Sequence, residues 1–538
     1  MKRFLLFIKK ETTIVFILIT VILLLSILPD IMKWKNTPEG RVYNPIHNCA
    51  QDYVLYLSYE KQGLDGQSTL YNLFTSEPHP GALANPFYLF LGRLWRTSHI
   101  SDLHVVYHTT RILLAIVWAL LLYWYIRRTL PSKTGRLIAL FFVLYGTSFP
   151  IYRYPGSLFS VTTYMSWWSE LNPTVRAAFL PAHLMGHILM LLMIALFTEK
   201  KLTLFGVVMG TLAGFCAGLF HTPSLLLPLA LLPLWSLFTK QWKRLGIVMI
   251  CLPISAISFF ILSGQFSVFP WTMGWEYERQ SFALSLPEYL LALGPIVPLG
   301  ILGFFIAWKH KQGGVWIIWT CLCILGVGCI ATLIQLPVPL ISSLPLNNIR
   351  FLQMALPVPL SLLSSVTLLF IRKQFGKWVF FTLCIIIVFL TVVSFPASLV
   401  TQIRYMHNGP SFQYPTKGWM DAVLSLEKGR KDTVVLSLPF AGTAIAGYVN
   451  RTVYIGRAGS TINFSPKTDL AWSVYKGSMP VCETFDFLTH NRIDEVFIGY
   501  DEKTVGGDLT RYPFLRLSRD YGDTQIFSFT EKKPMECP

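Results

Sequence analysis

Charge is what this chain has least of. Only 14% of its 538 residues are Asp, Glu, Lys or Arg against 53% apolar, which leaves too little polar surface for a water-soluble globule of this length. Acids are the scarcer sign, 28 against 45 bases. Other signatures are missing too. The nine cysteines show no zinc-type Cys/His spacing. No small-x-small cleavage site follows the first apolar run, which ends Ser26-Ile27-Leu28-Pro29-Asp30, so that run does not read as a cleaved signal peptide. No clear internal repeat appears, which counts against a transporter built from repeated halves.

What the chain has instead is apolar runs. They fall at 12–29, 103–126, 137–151, 182–198, 202–220, 222–238, 245–263, 289–308, 315–334, 352–371 and 378–395. A bilayer crossing needs roughly 20 apolar residues, and a spanning segment has to be helical because lipid offers backbone amides no partner. The expectation is a polytopic α-helical membrane protein with about eleven spans. The third run is short, and 202–238 admits a different division around His221-Thr222-Pro223.

The net charge of +17 invites a nucleic-acid reading, and its distribution refutes one. The bases sit in short loops: Lys2, Arg3, Lys9 and Lys10; Arg127, Arg128, Lys133 and Arg136; Lys200 and Lys201; Lys240, Lys243 and Arg244; Lys309 and Lys311; Arg372, Lys373 and Lys377. With eleven spans all these loops fall on one side, and the positive-inside rule makes that side the cytoplasm. The N-terminus is then inside and the C-terminus outside, in the plasma membrane. Cys216, Cys251, Cys321, Cys323, Cys329 and Cys384 fall within spans, where packing accounts for them. Cys49, Cys482 and Cys537 fall outside, where a disulfide is chemically allowed.

Four segments follow: 1–29, the cytoplasmic end and first span; 30–102, a long outer loop; 103–395, the remaining spans; and 396–538, a polar tail. The tail reads as a small extracytoplasmic α/β domain. Strands are expected at Thr433–Pro439, Thr452–Gly456, Glu495–Tyr500 and Thr524–Phe529, with helices at 417–428, 441–449, 467–476 and 481–491. It has no Gly-rich phosphate loop and no nucleophile elbow, so a rigid lid or docking module is its expected role. In the outer loop, Asp52–Gln62 reads as a helix stopped by Gly63 as a C-cap, with Asp52, Tyr56 and Tyr59 on one face. Thr75-Ser76-Glu77-Pro78-His79-Pro80 is a stiff extended stretch. Asn85-Pro86 opens a second helix, through Arg96, whose aromatics and basic end suit the membrane interface.

This arrangement resembles the GT-C class of membrane glycosyltransferases, the superfamily of protein mannosyltransferases, aminoarabinose transferases and oligosaccharyltransferases. The shared features are the helix count, the inside N-terminus, the interfacial helices and early Asp of the first outer loop, and the outer C-terminal domain. Ala446–Gly456 and Asn491–Ile498 are also similar to tails of uncharacterised bacterial members. The resemblance implies transfer of a sugar from a polyprenyl-phosphate or polyprenyl-diphosphate donor to an extracytoplasmic acceptor (protein, lipid or glycan), with inversion at the anomeric carbon. Many members carry a paired acid, Asp-Asp or Asp-Glu, in the first loop. Here Tyr53 follows Asp52, so a divalent metal gains no support and no other cofactor is implied.

The reaction needs a base for the acceptor and cations for the leaving phosphate. Asp52 matches the family's acid and is the expected general base, ahead of Glu39, Glu60 and Asp65; the competing reading is a plain surface carboxylate. Tyr56 shares its face and is expected at the substrate. Glu77 and His79, framed by prolines, are a second site acid and an acceptor contact, or polar residues of a stiff loop. Glu170 and Asn172, beside Trp167 and Trp168, suit a sugar-stacking surface, although interfacial tryptophan is common for lipid reasons alone. His183 and His187, one turn apart, point to a phosphate or substrate contact at His183 more than to a metal. Arg350, starting a span at the outer face, is expensive unless paired; it suits a lipid phosphate in fork geometry, or else an outer-loop acid or headgroups reached by snorkelling. Arg111, Arg153 and Arg176 are weaker alternatives, and Glu276 and Glu278 are expected in a gating loop. Two rival readings remain: a transporter or lipid flippase, and a catalytically inert assembly protein.

Overall fold

The computed structural model describes residues 2–46, 50–98, 100, 102–153, 160–163, 171–177, 179–266, 268–273, 286–333, 351, 354–407, 412–506 and 509–530. The chain divides into a helical unit, Met1–Met32, His108–Ile261 and Glu278–Asn408, and a sheet unit, Lys33–Tyr107, Leu262–Tyr277 and Gly409–Pro538.

In the helical unit a helix stands at every apolar run. Four among the described residues have the length and apolarity to cross a bilayer: Glu11–Lys35, Leu103–Thr129, Trp242–Gln265 and Pro357–Ala397. Pro181–Phe197, Leu204–Phe220, Thr222–Phe238 and Gly314–Gly328 are apolar but shorter. Large apolar side chains stay exposed on these helices, Phe260 and Ile385 each at 68%, which suits a lipid solvent rather than water. The 202–238 stretch divides at His221, whose backbone (φ −156°, ψ 85°) is not helical.

The run at 289–308 is not one straight helix. Leu286–Leu293 and Ile296–Lys309 meet at a bend of 97°. Gly294 allows it: its φ is +69°, and a Cβ there would lie 2.1 Å from the Thr147 carbonyl. The last two runs form one helical stretch, Pro357–His407, interrupted at Gly376 (φ 87°, ψ 177°). A short antiparallel pair, β1 (Pro150–Arg153) and β2 (Ser160–Thr163), completes this unit.

Ion pairs gather at the helix ends. Arg136 bonds Glu11 at 2.8 Å, while Arg111 meets Asp30 at 3.3 Å near the other end of the same helix. Arg128 pairs with Glu199, and Arg244 donates to the Glu199 carbonyl at 2.5 Å. Arg372 reaches Thr134 Oγ1 at 3.4 Å. Basic loops far apart in sequence therefore meet at one end of the helical unit.

The sheet unit is built on five strands: β3 (Val434–Leu436), β4 (Thr452–Val453), β5 (Ile493–Ile498), β6 (Leu515–Asp520) and β7 (Gln525–Phe529), in the order β4-β3-β5-β7-β6. The three at the β4 end are parallel and the rest antiparallel. β3 is buried at every residue, as a central parallel strand must be. Helices Lys417–Ser425, Pro439–Tyr448, Phe464–Tyr475 and Val481–His490 stand where the sequence expects helices, and a short one, Tyr500–Val505, was not foreseen. Cys482 is disulfide-bonded.

The first loop packs within this same unit. Leu73 and Thr75 run beside β4: the Val453 N–H donates to the Leu73 carbonyl at 2.9 Å, and Thr75 bridges Ile455. This covers an otherwise open sheet edge. Gly63 is not a C-cap, because the helix runs from Ala50 to Leu64. It is a contact residue: a Cβ on Gly63 would lie 2.3 Å from the Leu89 carbonyl, and one on Gly92 would lie 2.1 Å from the Glu60 carbonyl. The two glycines let helices Ala50–Leu64 and Pro86–Arg96 touch backbone to backbone. The left-handed stop comes later, at Gly66 (φ +88°).

Candidate active site

Two acids of the first loop are each met by a cation from one short stretch of the C-terminal segment. Asp52, in the first turn of helix Ala50–Leu64, accepts a bond from Arg457 Nη2 at 2.5 Å. Arg457 also reaches Ser460 Oγ at 3.3 Å. Its side chain is 14% exposed and that of Asp52 36%, so the pair lies at the surface with the carboxylate outermost. Tyr59, two turns along on the same face, is buried; burial pushes its phenol up to about 12, Arg457 opposing and Asp52 adding. Tyr56 is half-buried with its ring stacked on Tyr88, centroids 4.4 Å apart.

Glu77 is held more tightly. Lys467 Nζ donates to Glu77 Oε2 (2.8 Å), Ser76 Oγ (2.9 Å) and the Tyr454 carbonyl (3.1 Å), and lies 4.7 Å from the centre of the Tyr454 ring. Thr75 Oγ1 donates to the same carboxylate oxygen. Burial raises the Glu77 carboxyl, but the bonds from Lys467 and Thr75 outweigh it and hold the group below its usual range. Burial pulls the Lys467 ammonium down despite Glu77.

His79 uses both ring nitrogens within the loop. Nε2 accepts from the Asn72 N–H at 2.9 Å, which leaves Nδ1 to donate to the Glu77 carbonyl at 2.8 Å. Its ring stands edge-on to Trp271, centroids 6.1 Å apart. His79 thus shapes the turn that presents Glu77.

Among the described residues, Asn172, Arg176, His183 and His187 lie in the helical unit. Asn172 is 1% exposed and spends its side-chain carbonyl on Thr174, at 3.2 Å to N and 2.8 Å to Oγ1, capping helix Pro173–Ala177. Arg176 is buried against the carbonyls of Val143 (2.5 Å) and Gly146 (3.0 Å). His183 and His187 meet a third histidine, His221, with centroids 4.1 and 6.0 Å from it. His221 bonds Ser224 Oγ at 2.7 Å and lies over Gly186, where a Cβ would meet its own Cβ at 2.6 Å. Among the described residues no group of three or more His, Cys, Asp or Glu is arranged to hold a metal. Glu170, Arg350, Glu276 and Glu278 lie outside the described residues, as does the side chain of Arg153.

Sequence reasoning missed Arg457 and Lys467. The only local signal was their position, just after the segment similar to bacterial tails.

No protein-family model matches the chain, and no curated protein matches it by sequence. Solved structures do match. The oligosaccharyltransferase of Archaeoglobus fulgidus in its apo form aligns with a TM-score of 0.54 at 11% identity, over 97% of this chain and 75% of that one. The same organism's AglB, with an inhibitory peptide and a dolichol-phosphate, aligns at 0.51 and 12% over the same shares. ArnT from Cupriavidus metallidurans bound to undecaprenyl phosphate aligns at 0.53 and 12%, over 96% of this chain and 97% of that one. Identities this low speak of fold alone: this chain shares its fold with the archaeal oligosaccharyltransferase and with ArnT.

Proposed function

We propose that this protein is an integral-membrane glycosyltransferase that moves a sugar from a polyprenyl-phosphate carrier to an acceptor outside the plasma membrane. The reading takes eleven spans, a cytoplasmic N-terminus and an extracytoplasmic C-terminal α/β domain. The observation that carries it is the Asp52–Arg457 pair: a surface carboxylate and a fork-shaped cation, side by side at 2.5 Å. Its support in kind is that two proteins of this fold were solved with undecaprenyl phosphate and dolichol-phosphate.

The chemistry divides between those two side chains. The acceptor loses a proton as it attacks the anomeric carbon, and Asp52 takes it. The departing phosphate gains charge, and a guanidinium suits it in bidentate geometry. In the resting pair Arg457 neutralises Asp52, which makes the carboxylate a poor base. A donor phosphate competes for the guanidinium and frees Asp52 as the sugar arrives. Attack from the face opposite the leaving phosphate inverts the anomeric centre. Glu77 is an anchor in this scheme rather than a second acid, because a carboxyl held below its usual range has no proton to give. Arg350 serves as a further phosphate cation and Glu170 as a sugar contact.

The test uses full-length protein in vesicles with a panel of polyprenyl-linked sugars, reading release of free polyprenyl phosphate. Asp52→Asn is expected to lower turnover by about 10²–10⁴-fold with an unchanged unfolding temperature. Arg457→Gln raises the donor KM and lowers kcat, and Arg457→Lys restores part of the loss. Normal turnover by Asp52→Asn removes the mechanism.

A further inference from the structure

The geometry points to a second lipid site, in the helical unit and separate from the sugar chemistry: a groove that holds one anionic glycerophospholipid, its phosphate on Lys133 and Arg372. The groove has a volume of about 400 Å3, within the roughly 300–1,000 Å3 of ligand sites. One wall is helix Lys133–Tyr145, through Leu137 and Phe141; the other is the stretch Pro357–His407 on both sides of its break at Gly376, through Leu368 and Ile387. Every lining residue except Lys133 and Thr134 is apolar or a cysteine. The polar pair occupies the first turn of its helix, and Leu137 and Phe141 follow one and two turns deeper. Arg372 closes the same end, donating to Thr134 Oγ1 at 3.4 Å and lying 5.7 Å from the centre of the Phe380 ring. The rim is open at Val388, 43% exposed.

Such a shape has one fitting occupant: a chain of methylenes running down from an anion. Two cations at the mouth select a negative headgroup over a zwitterionic one, and basic pockets between membrane helices bind anionic headgroups. The mouth also coincides with a helix N-terminus, whose dipole favours an anion.

The carrier lipid of the proposed reaction is the wrong occupant. Lys133 lies in the field of Glu11, which Arg136 bonds at 2.8 Å, so the mouth is at the Glu11 end of the first helix. The loop bearing Asp52 leaves that helix from its Asp30 end, about 28 Å further along at about 1.5 Å per residue. The charge pattern of the sequence places the Glu11 end at the cytoplasmic leaflet, where anionic phospholipids reside.

The experiment takes full-length protein in nanodiscs of phosphatidylcholine with increasing phosphatidylglycerol and counts the lipids retained on ejection by native mass spectrometry. One phosphatidylglycerol is expected to stay bound in preference to phosphatidylcholine. At about fivefold per basic group, the double variant Lys133→Gln/Arg372→Gln weakens it roughly thirtyfold. Leu137→Trp fills the groove, leaves the charges and also loses the lipid; Val388→Trp at the exposed rim does the same if Leu137→Trp unfolds. Lys373→Gln/Lys377→Gln removes two charges off the groove and keeps the lipid. Alkylation of Cys384, a groove residue, slows when phosphatidylglycerol is present. Equal losses from the two charge variants would mean diffuse attraction to the surface and overturn the site. So would retention in the filled groove, or displacement of phosphatidylglycerol by equimolar undecaprenyl phosphate.

Discussion

Asp52 and Glu77 carry the same charge in the same loop but stand in different surroundings, and the proposed mechanism gives them different roles. Glu77 shares one oxygen between Thr75 and a lysine that is only 7% exposed, and its removal takes away that lysine's counter-charge while the bonds to Ser76 and Tyr454 stay. Glu77→Gln is expected to cost about 1–2 kcal/mol, less than a fully buried pair because the carboxylate is 32% exposed. Asp52→Asn should cost little stability and nearly all turnover. Chemical denaturation beside turnover separates the two; the reverse pattern would exchange their roles. Glu60 poses a different case. It is fully buried in the Asp52 helix, and neither carboxyl oxygen has a hydrogen-bond partner among the described residues. Burial, and then Asp102, hold it well above its usual value. The native state therefore binds this proton more tightly than the unfolded chain. That stability is fully present below the unfolded value and is lost as pH rises towards the folded one. Glu502, pushed up to about 7 by burial, slopes the same way near neutrality. The unfolding temperature of the wild type should thus fall from pH 5 to pH 9, and less steeply in Glu60→Gln. Parallel curves would mean that Glu60 is ionised when folded or solvated.

At the scale of elements the sequence was most legible where patterns were strong. Each apolar run is helical, though that at 289–308 is two helices meeting at a bend, and the strands of the tail stand within a few residues of their expected places, since continuous Val-Val-Leu and Val-Phe-Ile runs admit little else. β6 escaped notice because Leu-Arg-Leu-Ser-Arg-Asp has the exposed, charged look of a loop, which is how an edge strand avoids pairing with another chain. Gly63 was misread for a related reason. A glycine near a helix end signals a cap, whereas its partner Gly92 lies in another helix and gives no local sign. The two readings differ in energy. As a cap, Gly63 would tolerate Asn. As a contact, Gly63→Ala forces a Cβ against a carbonyl 2.3 Å away, an overpacking expected to cost about 1–3 kcal/mol. Gly66→Asn should be milder, because the side chain there meets only the flexible end of Arg96. Thermal unfolding of Gly63→Ala, Gly63→Asn and Gly66→Asn ranks them, and a benign Gly63→Asn would restore the cap.

At the scale of the whole molecule, half of the candidate site was out of reach of sequence. The acids could be found because the first outer loop was suspect, Asp52 matching the family's acid and Glu77 being framed by prolines. Their cations come from 405 and 390 residues away, delivered when the loop lies along β4, and no spacing rule spans that distance. Topology has a similar weak point. With eleven crossings, every basic loop shares one side. The bent pair Leu286–Leu293 and Ile296–Lys309 decides whether that count holds. If the pair crosses once, Lys309 and Lys311 join the other bases on the cytoplasmic side and the tail lies outside with the first loop, where Asp52 and Arg457 can meet. If it turns back as a re-entrant segment, those two lysines emerge on the wrong side and every later side inverts. The pairing of Asp52 with Arg457 requires an even number of crossings between the first loop and the tail, so the bend and the ion pair constrain one another. Alkaline phosphatase fused after Thr272 and after Tyr500 should be active, and fused after Lys200 and after Gln312 inactive. Activity after Gln312 would make the pair re-entrant, and the tail could then reach Asp52 only if one of the later helices also failed to cross.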